Sequence, residues 1–149
     1  MNKQFFAFVA FTILFACNAY GQSTSYGEVP SVVKNHFSSN HPQSVDVEWK
    51  REGEFYRVEF ETGTDADYKI WYDSGSNVVR KEAEILPSEL PRAIVNTINA
   101  QFEGYTIDDV DMITTPQGTT YEVELEALLK KDWEVVFSAD GKVLAKVKD

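Results

Sequence analysis

Cysteine is almost absent from this chain. The single one, Cys17, lies in or at the edge of an apolar N-terminal run, so the body of the protein is expected to have no disulfide, no thiolate nucleophile and no cysteine metal site. Histidine is nearly as scarce. His36 and His41 are the two imidazoles, and their spacing is one residue longer than a metal-binding pair on a helix prefers. His41 also precedes the helix-breaking Pro42, so both read as surface or rim residues. No Gly-x-Ser-x-Gly elbow occurs, and no serine beside either imidazole has the setting of an activated nucleophile. Basic side chains are few: 14 Lys and Arg stand against 24 Asp and Glu, a formal charge of −10. The acids are spread evenly along the chain. Nucleic acid and anionic lipid need basic patches and are excluded as partners on this ground, whereas a basic partner would be attracted.

The first 21 residues carry Lys3 and then the uncharged run Phe5–Ala16, which is shorter than the roughly 20 apolar residues a membrane span needs. They read as a secretory signal cleaved after Ala19-Tyr20-Gly21, leaving Gln22 first and a polar leader over residues 22–27. Two alternatives stand beside this. Leu14-Phe15-Ala16-Cys17 forms a degenerate lipoprotein box, in which Cys17 would be lipidated and the chain tethered to a membrane. The run could also stay uncleaved as a helical anchor.

The rest of the chain is a duplication. Val29-Pro30-Ser31-Val32-Val33 opens one unit, and Leu90-Pro91-Arg92-Ala93-Ile94 opens another. Tyr56-Arg57-Val58-Glu59-Phe60 returns as Tyr121-Glu122-Val123-Glu124-Leu125. Each unit begins with an apolar stripe at helical spacing: Val29, Val33 and Phe37, then Leu90, Ile94 and Ile98. Proline at the first helical position costs no hydrogen bond; Ser88 is placed to cap the second helix and Gly104 to stop it. Each helix is succeeded by period-two runs. Val45, Val47 and Trp49 alternate with polar residues, as do Tyr56, Val58 and Phe60, then Tyr68, Ile70 and Tyr72, then Lys81, Ala83 and Ile85. In the second unit the runs are Ile107–Ile113, of undetermined register, then Tyr121, Val123, Leu125 and Ala127, then Trp133, Val135 and Phe137, then Val143, Ala145 and Val147. The shift that carries Tyr56 onto Tyr121 also carries Val58 onto Val123, Ile70 onto Val135 and Tyr72 onto Phe137, so the inward sets coincide. The expected fold is α+β: two tandem α-β4 repeats, residues 28–86 and 87–149, each an antiparallel sheet with its helix on one face. The two would share an interface or a continuous sheet, because either alone is marginally stable.

The pattern Val-Pro-x-x-Val-x-x-x-Phe, with His41-Pro42, Val47-Glu48-Trp49, Tyr56-x-Val58-x-Phe60, Leu90-Pro-x-Ala-Ile and Asp140-Gly-Lys, resembles the PepSY-like family of exported bacterial proteins. That family is likened to the beta-lactamase inhibitor protein, itself a tandem of helix-plus-four-strand units. The resemblance implies export, often to the periplasm, and a beta-lactamase-inhibitor-like fold. It supplies no catalytic residue. PepSY relatives that inhibit or chaperone proteases offer only an analogy.

No constellation of catalytic residues emerges, and no cofactor is expected. Asp65-Ala66-Asp67 and Asp73-Ser74-Gly75-Ser76-Asn77 suggest calcium, but the EF-hand glycine position holds Ile70 or Val78; turn chemistry explains both stretches. Asp108-Asp109-x-Asp111 reads as a solvated strand edge that resists aggregation. The strongest signal is the sheet face away from the helices. Phe55, Arg57, Lys69, Trp71 and Arg80 alternate outward in the first unit; Glu122, Glu124 and Glu126 do so in the second, with Glu134 and Val136. Aromatic side chains among arginine and lysine have the composition of a binding hot spot. The expected role is a non-enzymatic, exported, inhibitor-like protein that grips a protein or peptide partner. Trp71 and Phe55 would anchor it, Arg57 and Lys69 would meet carboxylates, and the glutamates would meet basic groups. The alternatives are an ordinary wet sheet face, and an envelope protein that binds a small molecule or cation through acidic loops.

Overall fold

The computed structural model describes residues 28–63 and 66–148. The order is α1 (Ser31–Asn40), β1 (Val45–Glu52), β2 (Phe55–Glu61), β3 (Asp67–Tyr72) and β4 (Val78–Glu84), then a 3-10 turn (Pro87–Glu89), then α2 (Arg92–Gln101), β5 (Thr106–Thr115), β6 (Gly118–Glu126), β7 (Trp133–Ser138) and β8 (Val143–Lys148). The eight strands form one sheet in chain order, with every neighbouring pair antiparallel. The signal segment and Cys17 lie outside the described residues.

Both helices begin the same way. Pro30 and Pro91 sit at the N-cap, and their carbonyls accept the first helical N–H groups: Val33 at 3.0 Å in α1 and Ile94 at 2.9 Å in α2. Ser88 does not cap α2; it belongs to the preceding 3-10 turn, and neither helix has a side-chain cap. Gly104, at φ +82°, comes just after α2 in the left-handed region that glycine tolerates best.

Each helix lays its stripe on four strands. Val29, Val33 and Phe37 bury against Trp49, Val58, Phe60, Ile70 and Tyr72. Leu90, Ile94, Ile98 and Phe102 bury against Val110, Val123, Leu125, Val135 and Phe137. The pairings Tyr68↔Ala83 and Ala83↔Met112 carry one face continuously across β3, β4 and β5, so both helices cover the same side of the sheet. The β4–β5 ladder, extended by the Ile85 N–H donating to the Val110 carbonyl at 2.9 Å, joins the two cores into one sheet.

Four bulges correct the sequence reading. β1 is irregular between Val45 and Glu48, with Asp46 at φ +50°, an angle aspartate tolerates; Val45 and Val47 stay 50% and 38% exposed, and Trp49 alone of the three is buried. β5 is irregular between Ile107 and Val110, which absorbs Asp108 and Asp109. β5 pairs on both sides, so this acidic stretch is not the free sheet edge the sequence suggested. The β3–β4 and β7–β8 ladders shift after Trp71 and after Val136. Hence Val143 pairs with Phe137 on the helix side, while Ala145 and Val147 pair with Val136 and Glu134 on the opposite side. Val143, Ala145 and Val147 do not share a face.

Candidate partner-binding face

The side of the sheet away from the helices is built from cross-strand rows. In the first half one row runs Lys50, Arg57, Trp71, Arg80 across β1 to β4. Directly opposed residues on antiparallel strands lie on the same face, so these four side chains stand together. The Trp71 indole N–H donates to Glu52 at 2.7 Å. The guanidinium carbons of Arg57 and Arg80 lie 5.7 and 5.2 Å from the Trp71 ring centroid, one cation on each neighbouring strand. Arg57 is itself held by Glu52 at 2.5 Å and Glu59 at 2.7 Å, although its Nε is buried without a partner among the described residues. Lys50 reaches Glu59 at 3.1 Å, Lys69 reaches Glu82 at 3.8 Å, and Arg80 pairs with Glu82. These pairs are partly solvated, so each adds little stability alone. Their effect is to fix Trp71, which remains half-buried, in one orientation. Phe55, opposite Glu52, is half-buried on the same face.

The second half repeats the geometry with the opposite charge. Val110↔Val123 matches Trp49↔Val58, and the next row runs Asp111, Glu122, Val136, Ala145. Asp111 stands where Lys50 stood, Glu122 where Arg57 stood, and Glu134, opposite Glu124, where Lys69 stood. None of Asp109, Asp111, Glu122, Glu124 and Glu134 has a cation within ion-pair distance among the described residues. With Trp133 they line a shallow cavity of about 160 Å³.

The carboxyls register the crowding. Burial, a hydrogen bond with Glu134 and the charges of Glu134, Asp111 and Glu82 push Glu122 up to about 8, so it holds a proton at neutral pH. Burial raises Asp111 and Glu124 above the ordinary carboxylate range; the charge of Lys69 opposes this at Asp111, while nearby acids add to it at Glu124. Glu126 is raised chiefly by the charge of Asp108.

A family model described as "Putative beta-lactamase-inhibitor-like, PepSY-like" matches residues 17–80 and again residues 54–145. The chain belongs to this PepSY-like family. Solved structures with the same fold include a DUF2874 family protein from Bacteroides uniformis (20% identity, TM-score 0.70, 80% of this chain and 88% of that one). A protein from Bacteroides eggerthii described as a "putative periplasmic" protein is similar at 18% identity and TM-score 0.72, over 80% of this chain and 88% of that one. A BLIP-like protein from Bacteroides fragilis is similar at 21% identity and TM-score 0.65, over 80% and 86%. Among curated proteins none matches the sequence. At these identities the likeness concerns the fold. Among the described residues no helix of the PepSY-like chain is long and apolar enough to cross a membrane.

The outward residues fall into two groups. Arg57, Lys69, Trp71 and Arg80, with Phe55, gather on the first half; Glu122, Glu124 and Glu126 gather on the second. Sequence reasoning missed Lys50 and Glu52, which complete the Trp71 cluster, and Asp109 and Asp111, which complete the acidic one. The phase of Trp49 pointed to Lys50, its neighbour on the opposite face. The β5 bulge hid Asp111. The two imidazoles are used in ring contacts: His41 stacks on Phe37 at 5.3 Å, and His36 meets the edge of Tyr72 at 5.5 Å. Desolvation lowers the His41 pKa below the usual imidazole value, helped by the charge of Lys81. Asp73 closes its turn by accepting the Gly75 and Asn77 N–H groups at 2.8 and 2.9 Å, the turn chemistry expected of that stretch.

Proposed function

We propose that this PepSY-like chain is an exported, non-enzymatic binding protein of the inhibitor-like kind, and that it holds a protein or peptide partner on the sheet face opposite its helices. Residues 1–21 serve as its signal, residues 22–27 as a leader, and residues 28–86 and 87–149 as the two duplicated binding units. Cys17 is the lipid-attachment point if the chain is tethered to the membrane. The observation that carries the reading is Trp71. It is a large aromatic side chain, partly buried on an open face, preset by a hydrogen bond to Glu52 and by a guanidinium on either side. A side chain ordered before binding loses little entropy on contact, which is how aromatic anchors dominate interfaces. Phe55 extends the anchor, Arg57, Lys69 and Arg80 address carboxylates, and Glu122, Glu124 and Glu126 address basic groups.

The test is capture from periplasmic extract by the mature chain, compared with its Trp71→Ala variant. The expected result is a defined partner whose retention drops at least about tenfold with the variant, while circular dichroism and the unfolding midpoint change little. Retention independent of Trp71 refutes the assignment. Unfolding of the variant would place Trp71 in the core and refute it equally.

A further inference from the structure

The two halves of the open face carry different chemistry in matching positions, and this decides what the second half accepts. In the first half each face cation already has a carboxylate: Lys50 with Glu59, Arg57 with Glu52 and Glu59, Lys69 and Arg80 with Glu82. In the second half the matching cations are gone, and among the described residues these carboxylates have no cation within ion-pair distance, although Lys69 and Arg80 act on Asp111 from farther off. Between those carboxylates the face is apolar. Val136 lies opposite both Glu122 and Ala145, and Val147 lies opposite Glu134.

The β6–β7 loop, at the end of the strands that carry this face, holds Leu128 and Leu129, which are 98% and 94% exposed. In the sequence repeat they stand where the first unit has Gly63 and Thr64. The loop is tied down. The Ala127 N–H donates to Asp132 at 3.1 Å, the Lys130 ammonium donates to the Glu103 carbonyl at 3.3 Å and lies 5.1 Å from the Tyr105 ring centroid, and the Tyr105 hydroxyl donates to the Lys131 carbonyl at 3.1 Å. Two leucines held in water by a pinned loop are an exposed apolar contact of the kind that marks an interaction site.

We infer that the second half of the open face, with Leu128 and Leu129, docks a segment of a partner protein that is both cationic and apolar, its Lys or Arg side chains meeting Glu122, Glu124 and Glu134 and its apolar side chains meeting Val136, Val147 and the two leucines. This rests on the proposed function and adds the chemistry of the partner. Charge complementarity selects the occupant: an acidic segment would be repelled, and a purely polar basic one would leave the valines and leucines uncovered. An anionic bilayer is disfavoured by the same carboxylates. The proton that Glu122 holds at neutral pH would be displaced by a neighbouring cation, which agrees with a site that lacks its counter-charge.

The test uses three synthetic peptides of equal length: alternating lysine and leucine, alternating glutamate and leucine, and alternating lysine and serine. Binding to the full mature chain is read by fluorescence anisotropy at two salt concentrations. The lysine–leucine peptide is expected to bind at least about tenfold tighter than either control and to weaken with added salt. Glu124→Lys, and separately the double change Leu128→Ser with Leu129→Ser, should each weaken it at least about fivefold. All three positions are exposed, so folding is expected to survive, and circular dichroism checks it. Equal binding of the lysine–serine peptide would reduce the effect to bulk charge; equal binding of the glutamate–leucine peptide would reduce it to apolar stickiness; no binding, or binding indifferent to the variants, would leave the face without this specificity. Each overturns the inference. Trp71→Ala separates the two readings. An extract partner lost with Trp71→Ala yet retained by Glu124→Lys and by the leucine double variant sustains the Trp71 anchor of the proposed function and refutes this inference.

Discussion

Replacing Glu122 by glutamine should make the protein more stable at high pH and leave it unchanged at low pH. In the unfolded chain a glutamate releases its proton near 4.5, whereas in the fold burial and the neighbouring acids hold the Glu122 proton up to about 8. Between those values the folded state binds more protons than the unfolded state. Stability contributed by this group is therefore full below about pH 4.5 and is lost as pH rises through about 8, because ionising the buried carboxyl among Glu134, Asp111 and Glu82 is unfavourable. At about 1.4 kcal/mol per pH unit, an isolated dry group would contribute about 5 kcal/mol. Glu122 is only half-buried and solvent reaches the pair it forms with Glu134, so screening trims this to about 2 kcal/mol. Glutamine has the same size, stays neutral and can still hydrogen-bond to Glu134. Urea unfolding of both proteins near pH 4, 6, 7.5 and 9 tests this. The expected difference is within about 0.5 kcal/mol near pH 4 and grows to about 2 kcal/mol in favour of the variant near pH 9. A difference that stays flat with pH, or a variant less stable at pH 9, would refute the protonated-glutamate reasoning.

The core and the turns give other expected outcomes. The Tyr72 hydroxyl is buried without a hydrogen-bond partner among the described residues, burial pushes its pKa up to about 12, and Phe137 stands at the matching position of the other half. Tyr72→Phe should thus be neutral or stabilising by up to about 1 kcal/mol in urea unfolding, and a clear loss would mean the hydroxyl is used. Gly141, at φ +85°, turns β7 into β8 against the start of α2, where an added Cβ would lie 2.5 Å from the Ala93 carbonyl oxygen; the Thr97 hydroxyl donates to the Gly141 carbonyl at 2.7 Å. Gly141→Ala should cost at least about 2 kcal/mol, whereas Gly53→Ala, with the same handedness but open space, should cost about 1 kcal/mol, both read from thermal unfolding. Ile94→Ala should cost about 3 kcal/mol because the side chain is fully enclosed by the second core; Leu128→Ala should change stability by less than about 0.5 kcal/mol.

Much of this architecture is legible in residues. Val58, Phe60, Ile70 and Tyr72 alternate in one half, Val123, Leu125, Val135 and Phe137 in the other, and each pair of runs fixes the register of its counterpart. A strand slipped by one residue would expose both of its inward side chains, so the alternation leaves little freedom. The helix stripes of Val33 with Phe37 and Ile94 with Ile98 are read as easily. Periodicity fails where the chain gains a residue. A bulge changes the phase without changing composition, which is why Val47 is exposed, Asp111 reads as a strand edge instead of part of the open face, and Val147 lies on that face. Ser88 was a sound cap by type, but Pro91 and the 3-10 turn start the helix later. The open face was half legible. Arg57, Trp71 and Glu122 are given by alternation, whereas Leu128 and Leu129 sit in a turn, where sequence gives no outward direction.

Local pattern, then, settled the elements, the buried set and the outward set, because side-chain direction along a strand or helix is set by spacing alone. It also settled the inverted charge of the two halves, since that is written in the residue types. The order of strands determined the rest. Joining β4 to β5 made one continuous face from two halves, set Asp111 in the interior of the sheet instead of at its edge, and gathered carboxylates from three strands around one shallow cavity. Such groupings depend on which strands become neighbours, and that choice is made by packing both helices on one side of a single sheet.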